Sequence, residues 1–146
     1  MAGERKGDGV SEISAQLRWK GEGLLFEGTS HRGSVQLSGA DDPPGSGPSP
    51  SELLIMAAGA CTGMDVVAIL RKMRQPLEAF AVEVHALKAD DHPRRVESIE
   101  VVYRLRGDLS EARVQRAIEL SETRYCAVEA TLRGSVSITS RYLIEP

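Results

Sequence analysis

The chain has 146 residues, of which 41% are hydrophobic and 27% charged, values typical of one ordinary globular domain. Its net charge is −3, and both signs are scattered along the chain, which excludes the clustered basic face that nucleic-acid binding requires. The N-terminal segment lacks the apolar core of a signal peptide, and no uninterrupted apolar run reaches the length of a membrane span. We therefore expect a single soluble cytoplasmic domain over 1–146, with 1–11 as a flexible N-terminus, that binds neither nucleic acid nor membrane.

The first third of the chain predicts a small antiparallel sheet of three strands. Segment 12–19 has apolar side chains at every second position, the period of a half-buried strand: Ile13, Ala15, Leu17 and Trp19. Segments 23–28 and 33–39 are the next two predicted strands, and glycines separate the three at intervals typical of hairpins.

A loop and a long helix are predicted next. Residues 39–50 are almost all turn formers, which indicates a loop or a lid. Ser49 is a suitable N-cap, Pro50 a suitable first helical residue, and Glu52 completes an S-x-x-E capping box. The helix extends towards Pro76 and has hardly any polar face before its last turn. Such a helix is normally buried on all sides, so we expect a second subunit to cover what one small domain leaves exposed.

The second half predicts a hairpin, a helix and a last strand. Segments 79–87 and 97–105 alternate like strands and are joined by a polar turn. Ser110 is a suitable N-cap for an amphipathic helix to about Arg124, and that helix carries a stripe at helical spacing: Val114, Ala117, Ile118, Ser121 and Tyr125. The alternation around Val136 and Ile138 indicates a final strand. The predicted order β-β-β-α-β-β-α-β indicates an α+β fold.

Cys61 is the candidate reactive residue of the long helix. The small residues around it either leave room for a substrate or simply permit close helix packing. An ordinary thiol is only a few per cent thiolate at neutral pH. Lowering its pKa by about two units requires that the thiolate be stabilised over the thiol by roughly 2.7 kcal/mol. A reactive Cys61 therefore requires a nearby cation. Asp65, one turn later, would raise the pKa unless it is engaged elsewhere. The candidate cations are Arg18, Arg32 and Arg141, and their spacing does not choose among them.

Metal and cofactor chemistry find little support in the sequence. The three histidines, His31, His85 and His92, lack the paired spacing of a zinc site or a Cys-His dyad, so we expect no metal. No dinucleotide, P-loop or nucleophile-elbow motif occurs, and we expect no cofactor. Two cysteines in a reducing compartment would pair only transiently, and the alternative is that both are small buried packing residues.

Two segments carry a family resemblance. GPSPSELLIMAAGACTGMDVVAILRKMRQP resembles the central-helix signature of the OsmC/Ohr (osmotically inducible, organic hydroperoxide resistance) family, and ELSETRYCAVEATL resembles the segment around that family's second cysteine. The order of elements is also similar, so the resemblance covers the chain from about Gln16 to Glu145, and it is strongest to the YhfA-like branch. It implies an OsmC/Ohr-like fold with a long buried central helix and an intertwined homodimer whose active sites lie at the subunit interface.

The resemblance also implies a peroxidase cycle. Cys61 would attack an organic hydroperoxide and become a sulfenic acid, Cys126 would condense with it to a disulfide, and a dithiol of the lipoyl type would reduce that bridge. In the peroxidase branches a glutamate pairs with the activating arginine, but here that position is Ser51. Glu52, one residue on, either substitutes for it or only caps the helix.

The sequence thus leaves two main hypotheses. The first is a thiol-dependent peroxidase of oxidative-stress defence that reduces organic hydroperoxides with Cys61, Cys126 and Glu52. The second is a non-enzymatic homodimer that binds a small apolar or thiol-containing ligand in an interface pocket. A third reading, in which both thiols are only packed core residues, predicts that Cys61→Ala leaves every activity unchanged.

Overall fold

A computed structural model of the chain describes residues 9–146, so most of the predicted flexible segment 1–11 lies outside the described residues. The described chain contains six β-strands and three α-helices, with a short π-helix between the last two α-helices. It divides into two compact units, with the boundary between Leu53 and Leu54. The single domain over 1–146 stays a prediction.

The first unit contains the predicted three-stranded antiparallel sheet. Its strands are β1 (Gln16–Trp19), β2 (Phe26–Ser30) and β3 (Gly33–Leu37), in the order β1-β2-β3. β1 is shorter than the predicted 12–19, and all four of its residues are exposed. The predicted half-burial of its alternating apolar side chains is therefore wrong for the single chain, because within residues 9–53 no second layer covers that strand.

The turn-rich segment 39–50 is a loop, as predicted. Hydrogen bonds connect it to the segment before β2 and to β3. The Asp42 carboxylate accepts from the backbone N–H of Leu24 at 3.1 Å and from that of Gly39 at 2.7 Å. The side-chain amide of Gln36, on β3, donates to a loop carbonyl at 2.6 Å. The loop thus has fixed contacts within its own unit, and its action as a lid stays a prediction.

The second unit contains a mixed sheet of three strands. β4 (Ala79–Lys88) and β5 (Val96–Arg106) form the predicted antiparallel hairpin, and β6 (Ser137–Glu145) lies parallel to β5 on its other side. β5 is central and the most deeply buried strand. Its apolar side chains form the core of this unit together with residues of the helices: Val66, Leu70, Ile99, Val101, Tyr103, Leu105, Val114, Ala117 and Ile118.

The long helix α1 (Pro50–Lys72) begins with the predicted capping box and ends short of Pro76. Ser49 Oγ accepts from the Glu52 N–H at 3.2 Å, and Glu52 Oε1 accepts from the Ser49 N–H at 3.1 Å. Two of the N–H groups that a helix start leaves unpaired are satisfied in this way.

Only one face of α1 is buried within the chain. That face approaches β4 closely at Gly59, where an added Cβ would lie 2.6 Å from Val84 Cγ2. The opposite face is open, with Met56 52% and Met64 73% exposed. The single chain thus leaves part of this apolar helix uncovered, as its excess of apolar residues predicted, and the second subunit expected to cover the open face stays a prediction. By length and composition α1 would also suit a membrane span, a test that the core helix of a soluble protein passes as well.

The helix predicted from Ser110 to about Arg124 consists of two different pieces. α2 (Glu111–Leu120) has Ser110 at its N-cap position, although the Ser110 side chain makes no cap hydrogen bond, and the π-helix Ser121–Tyr125 follows it. Four members of the predicted stripe are buried, from Val114 to Ser121, but Tyr125 is 54% exposed. The stripe fails at Tyr125 because a π-helix has more residues per turn, which rotates the positions after α2.

A third α-helix was not predicted. α3 (Ala127–Leu132) begins at Cys126, whose Sγ accepts from the Glu129 N–H at 3.3 Å in the place of an N-cap oxygen. The observed α+β order therefore matches the prediction with one short helix added before the last strand.

Candidate thiol site

The two cysteines are far apart in sequence but lie side by side in the second unit. Cys61 Sγ on α1, Cys126 Sγ at the start of α3 and a carboxylate oxygen of Asp65 all lie within 4.8 Å of one another. Both thiols are free. Since a disulfide has an S–S distance of about 2.05 Å, bond formation needs the sulfurs to approach by less than about 3 Å.

The two thiols differ in exposure. Cys61 is half-buried, whereas Cys126 is only 3% exposed. Burial raises the pKa of Cys126 to about 12, the N–H of Glu129 opposes this rise, and the neighbouring Cys61 and the Glu129 carboxylate add to it. Cys126 is therefore a protonated thiol at neutral pH, and Cys61 is the sulfur that a solute reaches.

Asp65 has a hydrogen-bond partner in the structure, and this partner is neutral. Ser121 Oγ, fully buried at the first position of the π-helix, donates to Asp65 Oδ2 at 2.9 Å. This hydrogen bond orients the carboxylate and leaves its negative charge beside the sulfurs.

Glu129 is a second carboxyl group near the sulfurs, and unlike Asp65 it is fully buried. It is 1% exposed, its Oε1 has no hydrogen-bond partner within 9–146, and its Oε2 lies 3.5 Å from Arg133 Nη2. Burial raises its pKa to about 7, with the charges of Glu122 and Asp65 adding to the rise and Arg133 opposing it. The surroundings of the two sulfurs are therefore acidic within this unit.

The three candidate arginines have different surroundings. Arg18 lies 3.8 Å from Glu27, and Arg141 lies 3.5 Å from Glu100. Arg32 makes no ion pair within the described part of the chain and lines an apolar groove of about 450 Å³ in the first unit. Activation of Cys61 by any of the three stays a prediction.

Glu52 makes the capping contact described above. Hydrogen bonds with Ser49 lower the pKa of its carboxyl group, so it carries its charge at the start of α1, where the helix dipole favours an anion. The structure thus shows a capping function for Glu52, and its part in catalysis stays a prediction.

Sequence reasoning missed two members of the site. Ser121 is predicted only as part of the helical stripe of α2, and Glu129 lies in a short helix that the sequence does not predict. A glutamate within the small and apolar run AVEATL was the one available signal. On sequence alone, only the histidines are considered as metal ligands. The fold instead brings together two thiols and a carboxylate.

Known proteins resemble this chain in both sequence and fold. The family model described as OsmC-like protein matches residues 39–141. Protein YhfA of Escherichia coli K12 is 37% identical over 131 residues, covering 89% of this chain and 96% of YhfA. A hypothetical protein from Aquifex aeolicus VF5 has a crystal structure that superposes with a TM-score of 0.83 at 26% identity, covering 93% of this chain and 98% of that one.

A third structure is the organic hydroperoxide resistance protein OhrB of Bacillus subtilis, with a TM-score of 0.62 at 15% identity, covering 90% of this chain and 98% of that one. The two small sheets, the long helix and the later helices thus define an OsmC/Ohr fold. The chain belongs to the OsmC-like protein family, as its two signature segments predicted.

Proposed function

We propose that this protein is a cytoplasmic thiol-dependent peroxidase that reduces organic hydroperoxides in defence against oxidative stress. The observation that carries the proposal is the pairing of a half-buried Cys61 with a buried Cys126 within 4.8 Å. The Cys61 sulfur is accessible to a substrate, and the Cys126 sulfur lies beside it, where it can react with the oxidised Cys61. The name of the B. subtilis relative with the same fold, an organic hydroperoxide resistance protein, supports the substrate class.

The first half-reaction takes place at Cys61. Its thiolate attacks one oxygen of the hydroperoxide, the O–O bond breaks, and the leaving alkoxide takes up a proton to become an alcohol. Cys61 is oxidised to a sulfenic acid and the peroxide is reduced.

The second half-reaction joins the two cysteines. Cys126 Sγ attacks the sulfur of the Cys61 sulfenic acid, the S–O bond breaks, and the hydroxyl group leaves as water with the Cys126 proton. The resulting disulfide is reduced by a dithiol, of which the lipoyl type is the one we propose.

Cys61 requires a positive charge to react, because Asp65 lies beside it. We propose that Arg18, Arg32 or Arg141 supplies this charge and that Glu52 assists in orienting it. Single substitutions of each arginine by alanine distinguish the three. Only replacement of the activating arginine should slow the oxidation of Cys61, by at least about tenfold.

The functional unit in this proposal is a homodimer built on the open face of α1. Met56, Ala60 and Met64 lie four residues apart and are exposed, so they form one apolar line along the helix. A second copy of α1 is the surface that would cover it.

Turnover tests the proposed function. We expect the reduced protein to consume cumene hydroperoxide when dihydrolipoamide is supplied, and we expect Cys61→Ser to abolish consumption. Cys126→Ser should retain one rapid turnover and lose dihydrolipoamide-dependent cycling. Consumption that survives Cys61→Ser would contradict the proposal.

The second candidate is a non-enzymatic homodimer that binds a small apolar or thiol-containing ligand. The acidic surroundings of the sulfurs and the exposed apolar line on α1 favour it. A protein whose Cys61 is unreactive towards hydroperoxide, yet whose dimer binds an apolar fluorescent probe with saturation, would be explained by this candidate instead.

A further inference from the structure

We propose that Cys61, Cys126 and Asp65 form a binding site for a thiophilic divalent cation of the Zn²⁺ class in the fully reduced protein. This inference goes beyond the proposed peroxidase and does not depend on it, because it concerns the protein before any oxidant is added.

The spacing of the three ligand atoms suits a tetrahedral ion. The two Sγ atoms and an Asp65 oxygen lie within 4.8 Å of one another. Zn–S bonds of about 2.3 Å at tetrahedral angles place two sulfurs about 3.8 Å apart. The two sulfurs therefore have to approach each other by no more than about 1 Å.

The donor set selects the class of metal. Two thiolates and one carboxylate suit Zn²⁺ and its close analogues, whereas Mg²⁺ and Ca²⁺ prefer six or more oxygen ligands. Three protein ligands leave the fourth position open for water or a small ligand.

The charge around the site favours a cation. Asp65 is close enough to Glu129 for its charge to oppose the ionisation of Glu129, and Glu129 Oε1 is buried with no hydrogen-bond partner within the described residues. A divalent cation next to these two carboxylates attracts both and so offsets the repulsion between their negative charges. An anion would meet the opposite field.

The neighbours of the ligands already hold them in place. Ser121 Oγ donates to Asp65 Oδ2 at 2.9 Å and leaves the other carboxylate oxygen free to coordinate. The Glu129 N–H donates to Cys126 Sγ at 3.3 Å, a contact that also suits a metal-bound thiolate. Such contacts fix the orientation of metal ligands.

Binding is an exchange of protons for the metal. The two thiols release two protons, the two thiolates take up one divalent ion, and no electron is transferred. Burial that disfavours a free thiolate at Cys126 does not oppose a thiolate bonded to a cation.

The test is an anaerobic titration of the reduced, metal-free protein with Co²⁺, followed by displacement with Zn²⁺. We expect thiolate-to-cobalt charge-transfer absorption and the intense visible bands of tetrahedral cobalt, saturating at one ion per chain and lost when Zn²⁺ is added. A fully reduced protein, with two free thiols counted per chain, that shows no charge-transfer band would overturn the proposal.

Variants identify the ligands. Cys61→Ser and Cys126→Ser should each lower the charge-transfer intensity, and Asp65→Asn, which preserves the side-chain shape, should weaken Co²⁺ binding at least about tenfold. Asp108→Asn, at an exposed site of the same unit, is the matched control and should bind like the wild type. Unchanged affinity in Asp65→Asn would overturn the assignment of that ligand.

Discussion

At the scale of single residues, two identical thiol groups are made different by where the chain places them. Cys61 lies half-buried on a long helix, and Cys126 is enclosed at the start of a short one. The sequence predicted the pair of cysteines from the family resemblance. It did not predict their difference in burial, because the short helix α3 and the π-helix before it leave no clear periodic pattern.

The first prediction concerns the order of alkylation. In the reduced protein at neutral pH, iodoacetamide should modify Cys61 before Cys126, by more than about tenfold in rate, because Cys126 is 3% exposed and burial raises its pKa. Peptide mass mapping of samples quenched over time measures both rates. Equal rates in the folded protein, with urea-unfolded protein as the control, would contradict the assigned difference.

The second prediction concerns Glu129 and pH. Burial raises its pKa in the folded protein from the ordinary value of 4.5 to about 7, so the folded state holds this proton more tightly than the unfolded chain does. The stability it contributes is complete below about pH 4.5 and is lost as the pH rises through 7. Ionised Glu129 should then destabilise the fold by up to about 3 kcal/mol. Its charged neighbours are Glu122, Asp65 and Arg133.

Urea unfolding of Glu129→Gln with a chelator and a reductant tests this. The variant stays neutral, so its free energy of unfolding should exceed that of the wild type by more at pH 8 than at pH 5. Glu119→Gln, at an exposed site that pairs with Arg116, is the matched control and should show no such trend. A constant difference between the two pH values would contradict the account.

At the scale of elements, the second unit depends on close contact between α1 and β4. Gly59 and Gly63 face this strand, and added Cβ atoms would meet Val84 at 2.6 Å and Val82 at 3.1 Å. The sequence showed the small residues around Cys61 and offered two explanations, substrate room or close packing. At Gly59 and Gly63 the structure shows close packing.

The third prediction is that Gly59→Ala destabilises the fold by about 1–3 kcal/mol. The better helix propensity of alanine is worth about 1 kcal/mol at most, and the clash with Val84 outweighs it. Val84→Ala in the same chain should recover at least about 1 kcal/mol in a double-mutant cycle. Gly33→Ala, where an added Cβ meets nothing within 4 Å, is the control. A stabilised Gly59→Ala would show that the contact is looser than described.

The elements themselves were largely predictable where a periodic pattern of apolar residues continues over many positions. The hairpin β4–β5, the capping box of α1 and the last strand follow from alternation and cap residues alone. The end of α2 did not follow, because the π-helix shifts the helical period just before Cys126. The exposure of β1 did not follow either, since alternation indicates which face is apolar but not what covers it.

At the scale of the whole molecule, the open face of α1 is the main feature that one chain leaves unexplained. The sequence predicted a helix with more apolar surface than one small domain can cover. The structure locates the uncovered apolar surface on the line of Met56, Ala60 and Met64. The sequence does not choose among Arg18, Arg32 and Arg141, because spacing along the chain does not determine which charge would reach a thiol.

The fourth prediction is that the wild-type protein is a dimer in solution and that Met64→Glu makes it a monomer. Met64 is 73% exposed in the single chain, so a glutamate there leaves the fold intact but places a charge in the proposed interface. Light scattering coupled to size-exclusion chromatography measures the mass. Leu87→Glu, on β4 and 70% exposed, is the control and should remain dimeric. A monomeric wild type would contradict the homodimer.

The most direct test of the central claim is the intact mass of the reduced protein after one equivalent of cumene hydroperoxide. We expect that the wild type loses two hydrogens within seconds, and that Cys126→Ser accumulates a sulfenic acid on Cys61 that a dimedone-type reagent captures. Cys61→Ser should keep its mass unchanged. Wild-type protein that stays unreacted at modest excess of hydroperoxide, with both thiols still free, would contradict the account.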